Sequence, residues 1–218
     1  MLNFSSDVAG WDGLRLFAQD CLLCGDSGPS VVCHGCERRF PEDAEAQPIA
    51  GCDRIVAAYA YQFPVDRLVK RFKFAGDLAV GAWLAARVVE RVRAERRPDL
   101  LLPMPLAAAR LRERGFNQAH ELARIVGRAL GIRFAAGATR IRATAPQSGL
   151  DRPARERNLR GAFRVAGGVG MQGRSIAIID DVLTSGATAS SLAVALKSAG
   201  AERVDAWVVA RTPGPGAG

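Results

Sequence analysis

The chain has 218 residues, of which 49% are hydrophobic and 24% are charged. This length and composition provide for one full hydrophobic core with a small appended module but not for two ordinary domains, and they favour a folded over a disordered chain. The net charge of +8 is unevenly placed, because residues 110–164 contain 13 Arg, no Lys and four acidic residues. A basic excess confined to one quarter of the sequence indicates a site for a polyanion rather than a uniformly charged surface.

Membrane and export signals are missing from the sequence pattern. No stretch reaches the roughly 18 apolar residues needed to cross a bilayer. The first 20 residues also lack the basic and apolar regions of an export signal. We therefore expect a cytoplasmic protein without membrane insertion. In such a chain, five cysteines favour metal ligands or free thiols over disulfides.

Two C-x2-C pairs lie early in the chain, eight residues apart: Cys21, Cys24, Cys33 and Cys36. Four thiolates at this spacing suit tetrahedral zinc. A module of about 40 residues buries little core, so metal binding would supply its folding free energy. Four unligated thiols, or iron on the same ligands, are the alternatives. His34 could replace one thiol, and Cys52 is interpreted as a small core residue.

Beyond residue 50, strand-like and helical patterns alternate along the chain. The predicted strands span residues 54–63, 99–102, 134–141, 162–165, 175–180 and 204–210. The predicted helices span residues 65–72, 78–92, 119–130 and 188–199. This alternation favours an α/β fold with a mainly parallel sheet flanked by helices. Residues 212–218 are expected to be a disordered tail.

The run 176–188, IAIIDDVLTSGAT, carries the clearest chemistry. A buried strand ends at Asp180 and Asp181, and ligands of α/β sheets bind at the carboxyl ends of strands. The residues that follow suit a phosphate. The backbone N–H groups of the loop and first helical turn can bind it, helped by the hydroxyls of Thr184, Ser185 and Thr188. Gly186 allows the backbone to approach the phosphate closely. Phosphate and adjacent carboxylates together specify a ribose 5-phosphate group. A solvated turn before a capped helix is the alternative, but it does not explain two charges at the end of a buried strand.

Other phosphate and catalytic motifs fit poorly. A P-loop is excluded because no Lys follows Gly186. The string GGVGMQG precedes a strand instead of opening a helix, so we interpret it as a turn. A Ser/His/Asp hydrolase would need a histidine positioned as the base beside its nucleophile, but His120 lies on a predicted helix. The sequence also contains no G-x-S-x-G motif for the nucleophile.

The run 176–188 resembles the phosphoribosyl pyrophosphate (PRPP) signature of type I phosphoribosyltransferases. The chain as a whole resembles the ComF family of competence-associated, phosphoribosyltransferase-like proteins. The matching segments are the paired C-x2-C and residues 68–77, 103–119, 144–163 and 176–188. The resemblance implies a type I phosphoribosyltransferase-like parallel sheet over residues 51–211. It also implies an N-terminal helix and a zinc-binding module over residues 1–50.

The resemblance also implies roles for individual residues. It assigns the paired cysteines to zinc, and Asp180 and Asp181 to the ribose hydroxyls as the catalytic pair. It assigns the 5′-phosphate to Thr184, Ser185, Gly186, Ala187 and Thr188, with Ala187 where many members have a second Gly. It assigns the pyrophosphate loop and a mobile flap to Arg110, Arg112, Arg114, Arg142, Thr144, Gln147, Arg155 and Asn158.

The implied function is binding of PRPP with magnesium, or transfer of its phosphoribosyl group with release of pyrophosphate, in DNA uptake and natural competence. The resemblance does not imply an acceptor. One alternative is a non-catalytic module that binds single-stranded DNA through arginines interleaved with Phe72, Phe74 and Phe116. Another is a PRPP sensor without turnover that docks to a competence-protein partner.

Overall fold

A computed structural model describes residues 19–43, 48–141, 161–166 and 170–213. The chain divides into two units, one ending at Phe40 and the other beginning at Pro41. In the first unit, strand β1 (Gln19–Asp20) pairs antiparallel with β2 (Ser27–Gly28). The four-residue helix α1 (His34–Glu37) follows them.

The second unit is built on a parallel four-stranded sheet. Its strands are β3 (Arg54–Ala60), β4 (Leu100–Pro103), β7 (Ser175–Leu183) and β8 (Arg203–Arg211). Their spatial order is β3-β8-β7-β4, so β7 and β8 are central and Asp180 pairs with Val208. A separate antiparallel pair is formed by β5 (Ala138–Arg140) and β6 (Phe163–Val165).

Five helices accompany this sheet in the described part of the second unit. They are α2 (Val65–Ala75), α3 (Leu78–Val92), α4 (Ala108–Arg114), α5 (Gln118–Leu130) and α6 (Ala187–Ser198). Asp77 begins α3 by accepting a hydrogen bond from the Val80 N–H, and Asn117 begins α5 in the same way from Ala119. Such side-chain caps satisfy helix N–H groups that have no partner within the helix.

The core lies on both faces of the central strands. Ile176 and Ile178 of β7 belong to one buried cluster with Leu192 and Leu196 of α6. Helices α3 and α5 pack against each other, with α3 on β8 and α5 on β7. Residues 175–179 of β7 are buried without alternation, as expected for a parallel strand covered on both faces.

The predicted α/β class is confirmed, and α3 has the predicted bounds of 78–92. Strand β7 runs three residues beyond the predicted end, to Leu183, while only residues 138–140 of the predicted strand 134–141 form β5. Helix α4 was not predicted, because its sequence AARLRER has a single large apolar residue and therefore no apolar stripe. None of the helices within the described ranges is long and apolar enough to cross a membrane.

Candidate functional site

The four predicted metal ligands lie together in the first unit. The Sγ atoms of Cys21, Cys24, Cys33 and Cys36 all lie within 4.8 Å of one another. The Sγ atoms of Cys24 and Cys33 are 3.6 Å apart. Four sulfurs at 2.3 Å from one tetrahedral ion would be about 3.8 Å apart, so the cluster fits a metal ion of this kind. Neither His34 nor Cys52 belongs to the cluster.

Local backbone geometry forms the first cysteine knuckle. Gly25 has a φ of 79° and donates its N–H to the carbonyl of Cys21, which closes a tight turn after the first pair. The Cys33 N–H donates to Cys21 Sγ over 3.3 Å. Burial opposes ionisation of Cys21, but N–H donors led by Cys33 outweigh it and lower the pKa of the thiol to about 6. A thiol held as a thiolate is the form that binds metals. By contrast, burial raises the pKa of Cys52 to about 12.

A second site lies where β7 leads into α6. Asp180 and Asp181 are the sixth and seventh residues of β7, and the turn 184–186 joins this strand to the helix. The Asp181 N–H donates to Asp180 Oδ1 over 2.8 Å, and the Val182 N–H donates to Asp181 Oδ1 over 2.7 Å. These bonds hold both carboxylates close to the backbone at the carboxyl end of the strand.

The turn before α6 depends on a glycine. Gly186 is the N-cap of α6 and has a φ of 72°, a left-handed conformation that side chains disfavour. A Cβ atom at this position would lie 2.7 Å from Ile49 Cγ2. The first N–H groups of α6 have no acceptor within the helix, so this end of the helix can bind an anion.

Both elements face a cavity of about 260 Å³. Among the residues predicted to bind ribose or phosphate, those that line the cavity are Asp180, Asp181, Thr184, Gly186 and Thr188. Ser185 and Ala187 do not line it. Thr184 is exposed and Thr188 is half-buried. The structure therefore brings three of the five predicted phosphate-loop residues together with both acids.

Part of the cavity wall is basic. Arg110 and Arg114 of α4 line it, whereas Arg112 does not. Residues four positions apart share one face of a helix, and the residue between them points elsewhere. The remaining predicted residues lie outside the described ranges: Arg142, Thr144, Gln147, Arg155 and Asn158.

Arg140 is a lining residue that the sequence analysis did not identify. It lies at the end of β5, two residues before the predicted flap residue Arg142. Burial and the nearby charge of Arg110 lower the pKa of Arg140, while Asp180 acts in the opposite direction. The charges of Arg110 and Asp180 are therefore close enough to Arg140 to affect its ionisation. The concentration of Arg after residue 110 was the only sequence signal for this residue.

Lys73 is the second lining residue that was missed. Its ammonium lies 2.9 Å from Asp181 Oδ2, and the two side chains are 20% and 8% exposed. The Lys73 carbonyl accepts a hydrogen bond from the amide of Gln118, which in turn accepts one from Arg114. Lys73 is one of only three lysines beside 27 arginines, which was an available signal.

Asn117 fixes the loop on the basic wall. Its amide donates to the carbonyl of Met104 over 3.1 Å while its side-chain oxygen caps α5. Met104 follows β4, so the start of α5 is tied to the carboxyl end of that strand. Segments 68–77, 103–119 and 176–188 therefore meet around one cavity. Fold and site thus define a parallel α/β protein with a charged cavity at the carboxyl edge of its sheet and a separate four-cysteine cluster.

Comparison with known proteins adds relatives of similar length. No protein-family model matches the chain. The chain is 33% identical over 210 residues to DNA utilization protein YhgH of Salmonella typhi, covering 91% of this chain and 88% of that protein. It is 30% identical over 227 residues to Competence protein F of Haemophilus influenzae, covering 91% of this chain and 99% of that protein. The chain therefore belongs to the ComF family.

Two solved structures, both of enzymes, match part of the chain. Glutamine phosphoribosylpyrophosphate amidotransferase from B. subtilis matches with a TM-score of 0.45 at 16% identity, over 64% of this chain and 30% of that chain. Adenine phosphoribosyltransferase from Thermoanaerobacter pseudethanolicus matches with a TM-score of 0.40 at 13% identity, over 62% and 82%.

Proposed function

We propose that the cavity beside β7 binds PRPP, or another ligand with a ribose 5-phosphate group. The supporting observation is that Asp180 and Asp181, the start of α6 and three arginines line one cavity. The carboxylates would accept hydrogen bonds from the ribose hydroxyls, and the N–H groups at the start of α6 would bind the 5′-phosphate. Arg110, Arg114 and Arg140 would bind the pyrophosphate through charge-assisted hydrogen bonds.

The same arrangement suits phosphoribosyl transfer. The bond between ribose C1 and the pyrophosphate oxygen would break, pyrophosphate would leave with the electron pair, and a nucleophile would bond to C1 and release its proton to solvent. Arginines that lie beside the leaving group stabilise the charge that develops on it. Because we assign both carboxylates to the ribose, Mg²⁺ would be bound by the oxygens of the pyrophosphate rather than by these side chains. Such oxygens suit a hard cation, which would neutralise part of their charge.

For the cysteine cluster we assign a structural zinc ion held by Cys21, Cys24, Cys33 and Cys36. Four protein sulfurs leave no open coordination position, as in structural rather than catalytic zinc sites. The ion would stabilise the short elements β1, β2 and α1, which bury few large side chains of their own.

The names of the relatives support a role in handling DNA. Competence protein F and DNA utilization protein YhgH match 91% of this chain. We therefore place the proposed PRPP chemistry within DNA uptake or the use of imported DNA. A partner protein of the competence machinery, or single-stranded DNA itself, would bind outside the PRPP cavity.

A second candidate function is non-catalytic binding of single-stranded DNA. Phe74 is 69% exposed and Arg114 lies over its ring, 5.1 Å from the centroid, which is the pairing that stacks on bases. Phe72 is fully buried and packs on the half-buried Phe116, so Phe72 is not available for stacking on a base. This function predicts affinity for an oligothymidine that falls steeply with salt and survives loss of Asp180.

Calorimetry and thermal shift with PRPP, ribose 5-phosphate and pyrophosphate, each with and without Mg²⁺, test the main proposal. A ligand at 100 times its Kd adds about 2.7 kcal/mol to the free energy of unfolding. For a unit of this size, that is roughly 5–10 °C in Tm. We expect such a shift with PRPP and magnesium.

The site assignment is tested by replacing both acids. The double variant Asp180→Asn, Asp181→Asn should lose most of the PRPP affinity. Asp66→Asn is the matched control, because Asp66 pairs with Lys70 on the surface of α2 and does not line the cavity. Unchanged PRPP affinity in the double variant would show that the site is wrongly assigned.

A further inference from the structure

Arg114 is the last residue of α4, a helix in which every residue is exposed or half-buried. It lines the cavity proposed for PRPP. A long side chain on such an exposed helix can adopt many rotamers, and ordering it when a ligand binds lowers the affinity. Contacts that hold Arg114 in place before the ligand arrives would therefore strengthen binding.

Two side chains contact the guanidinium of Arg114. Its Nη1 donates a hydrogen bond to Gln118 Oε1 over 3.2 Å. Its central carbon, Cζ, lies over the ring of Phe74, 5.1 Å from the centroid. The hydrogen bond fixes the direction of one N–H group, and the ring attracts the cation to its face. Together the two contacts restrict both the rotation and the displacement of the guanidinium.

Gln118 is itself held in place. It is the first residue of α5 and is buried, with 3% of its surface exposed. Its Nε2 donates to the carbonyl of Lys73 over 3.4 Å. Lys73 is among the last four residues of α2, whose carbonyls have no partner within the helix. The bond therefore satisfies a helix carbonyl and directs the Gln118 nitrogen toward α2, which leaves Oε1 for Arg114.

Phe74 lies in the last turn of α2, next to Lys73. It is 69% exposed, so its ring buries little surface in the core. Its neighbour Lys73 pairs with Asp181 over 2.9 Å. The end of α2 thus provides a cation for the acids of β7 and a ring for the arginine at the end of α4.

We infer that Gln118 and Phe74 are positioning residues that hold Arg114 in the orientation that binds pyrophosphate, an inference that rests on the proposed function. Arginine has several N–H donors, and Gln118 uses one of those on Arg114. The others can bind the oxygens of a diphosphate through paired, charge-assisted hydrogen bonds. Because the guanidinium is ordered before the ligand arrives, less freedom is lost when the ligand binds.

Calorimetry with pyrophosphate and with ribose 5-phosphate, each with Mg²⁺, tests this inference on the full-length, zinc-loaded protein. Gln118→Met removes both hydrogen bonds and keeps the length of the side chain. It should weaken pyrophosphate binding about three- to tenfold, the effect of ordering one long side chain on binding. Ribose 5-phosphate affinity should not change, because its proposed contacts are with β7 and α6. Equal losses for the two ligands would mean a general distortion and would overturn the inference.

The ring contact has its own set of variants. Phe74→Ala should weaken pyrophosphate binding about two- to fivefold, as expected for a cation–π contact at an exposed site. Phe74→Tyr keeps the ring and should retain the affinity. Phe63→Ala is the control, since Phe63 is 74% exposed and does not line the cavity. If Phe74→Ala weakens binding of oligothymidine and leaves that of pyrophosphate unchanged, the inference is wrong.

A double-mutant cycle shows whether both residues act through Arg114. In an Arg114→Met background, neither Gln118→Met nor Phe74→Ala should lower the pyrophosphate affinity further. A further loss would contradict a positioning role. Ser175→Ala controls for the loss of a buried hydrogen bond, because the Ser175 hydroxyl donates to Asp99 at the first residue of β7. It should leave pyrophosphate binding unchanged.

The mobility of Arg114 provides a readout that does not depend on a ligand. The heteronuclear NOE of its Nε–H group reports motion on the picosecond to nanosecond timescale. We expect a rigid group in the wild type and a mobile one in Gln118→Met. Equal mobility in the two proteins would overturn the inference.

PRPP titrations on the same samples separate this inference from the proposed function. If the wild type binds PRPP and pyrophosphate but the Gln118 and Phe74 variants bind pyrophosphate as tightly, the inference is wrong and the PRPP site stands. If the wild type binds neither ligand, the proposed function is wrong and the positioning role falls with it, however rigid Arg114 is. Binding of both ligands, with selective loss of pyrophosphate affinity in the variants, is the expected result.

Discussion

The ammonium of Lys73 lies 2.9 Å from Asp181 Oδ2, and this contact makes the two adjacent carboxylates of β7 unequal. Asp181 is buried and has a cation beside it. Burial together with the charge of Asp181 raises the pKa of Asp180 well above its ordinary value. Asp180 therefore retains a proton more readily than an ordinary aspartic acid.

Lys73→Met should weaken PRPP binding about tenfold or more at neutral pH. The change leaves two facing carboxylates without their counter-ion, and a charge-assisted hydrogen bond of this kind contributes about 1.5–3 kcal/mol. Loss of the Lys73 charge, which lowers the pKa of Asp180, should raise that pKa further, so the lost affinity should return in part as the pH rises from 6 to 9. Calorimetric titrations across this range measure both effects.

Two variants control for simple destabilisation. Lys70→Met removes the neighbouring lysine, which pairs with Asp66 over 2.7 Å at the surface, and should leave PRPP binding unchanged. Lys73→Arg keeps the positive charge and should restore much of the affinity. The groups that face the carboxylates are Lys73 from α2, Arg110 and Arg114 from α4 and Arg140 from β5. A loss of affinity without any change in its pH profile would contradict the role given to Lys73.

Asp180→Asn should stabilise the protein while it weakens ligand binding. The folded pKa of Asp180 is raised, so the folded state binds more protons than the unfolded state between the two pKa values, and stability falls as the pH rises through that window. The variant should therefore gain over the wild type as the pH rises above about 4. We expect a gain of about 1 kcal/mol at neutral pH, or roughly 2–4 °C in Tm.

Asp99→Asn provides a control of opposite sign. Hydrogen bonds from the N–H and hydroxyl of Ser175 lower the pKa of Asp99. Its contribution to stability is present above the unfolded pKa and is lost as the pH falls through the folded pKa. Denaturant unfolding at several pH values should show Asp99→Asn losing stability at pH 7 and the loss disappearing in acid. If both variants shift stability in the same direction at pH 7, the environments assigned to these acids are wrong.

The sequence predicted those features that depend on local pattern. The cysteine spacing predicted a cluster whose Sγ atoms lie within 4.8 Å of one another. The apolar run before Asp180 predicted a buried strand, and the amphipathic pattern of residues 78–92 predicted α3. In each case the residues that carry the signal lie within 16 positions of one another, so a local sequence pattern was sufficient to predict the feature.

Features that depend on tertiary contacts were missed. Lys73 reaches the site because the end of α2 meets β7, 108 positions further along the chain, and no local pattern encodes that contact. Because α4 is helical, Arg110 and Arg114 line the cavity and Arg112 does not. This difference could not be predicted without the knowledge that the segment forms a helix. The asymmetry of Asp180 and Asp181 likewise follows from a partner in another element rather than from the sequence DD.

Cys33→Ser should release the metal from the first unit. The remaining three thiols cannot complete a tetrahedral site, and structural zinc contributes about 10–16 kcal/mol of apparent binding free energy to such modules. Elemental analysis should find one equivalent of zinc in the wild type and in Cys52→Ser, since Cys52 lies outside the cluster. It should find much less in Cys33→Ser. One full equivalent in Cys33→Ser would contradict the assignment of this ligand.

Gly186→Ala should destabilise the protein by about 2–4 kcal/mol, since left-handed backbone costs about 1 kcal/mol for a residue with a Cβ and a clash adds to it. The new Cβ would lie 2.7 Å from Ile49 Cγ2. Gly115→Ala measures the cost of the left-handed backbone alone. Gly115 has a φ of 78°, and a Cβ added to it would have no atom within 4 Å. Chemical denaturation should therefore show a larger loss for Gly186→Ala, and Ile49→Ala should couple favourably with it in a double-mutant cycle. Equal losses at the two glycines would mean that Ile49 does not confine the turn 184–186.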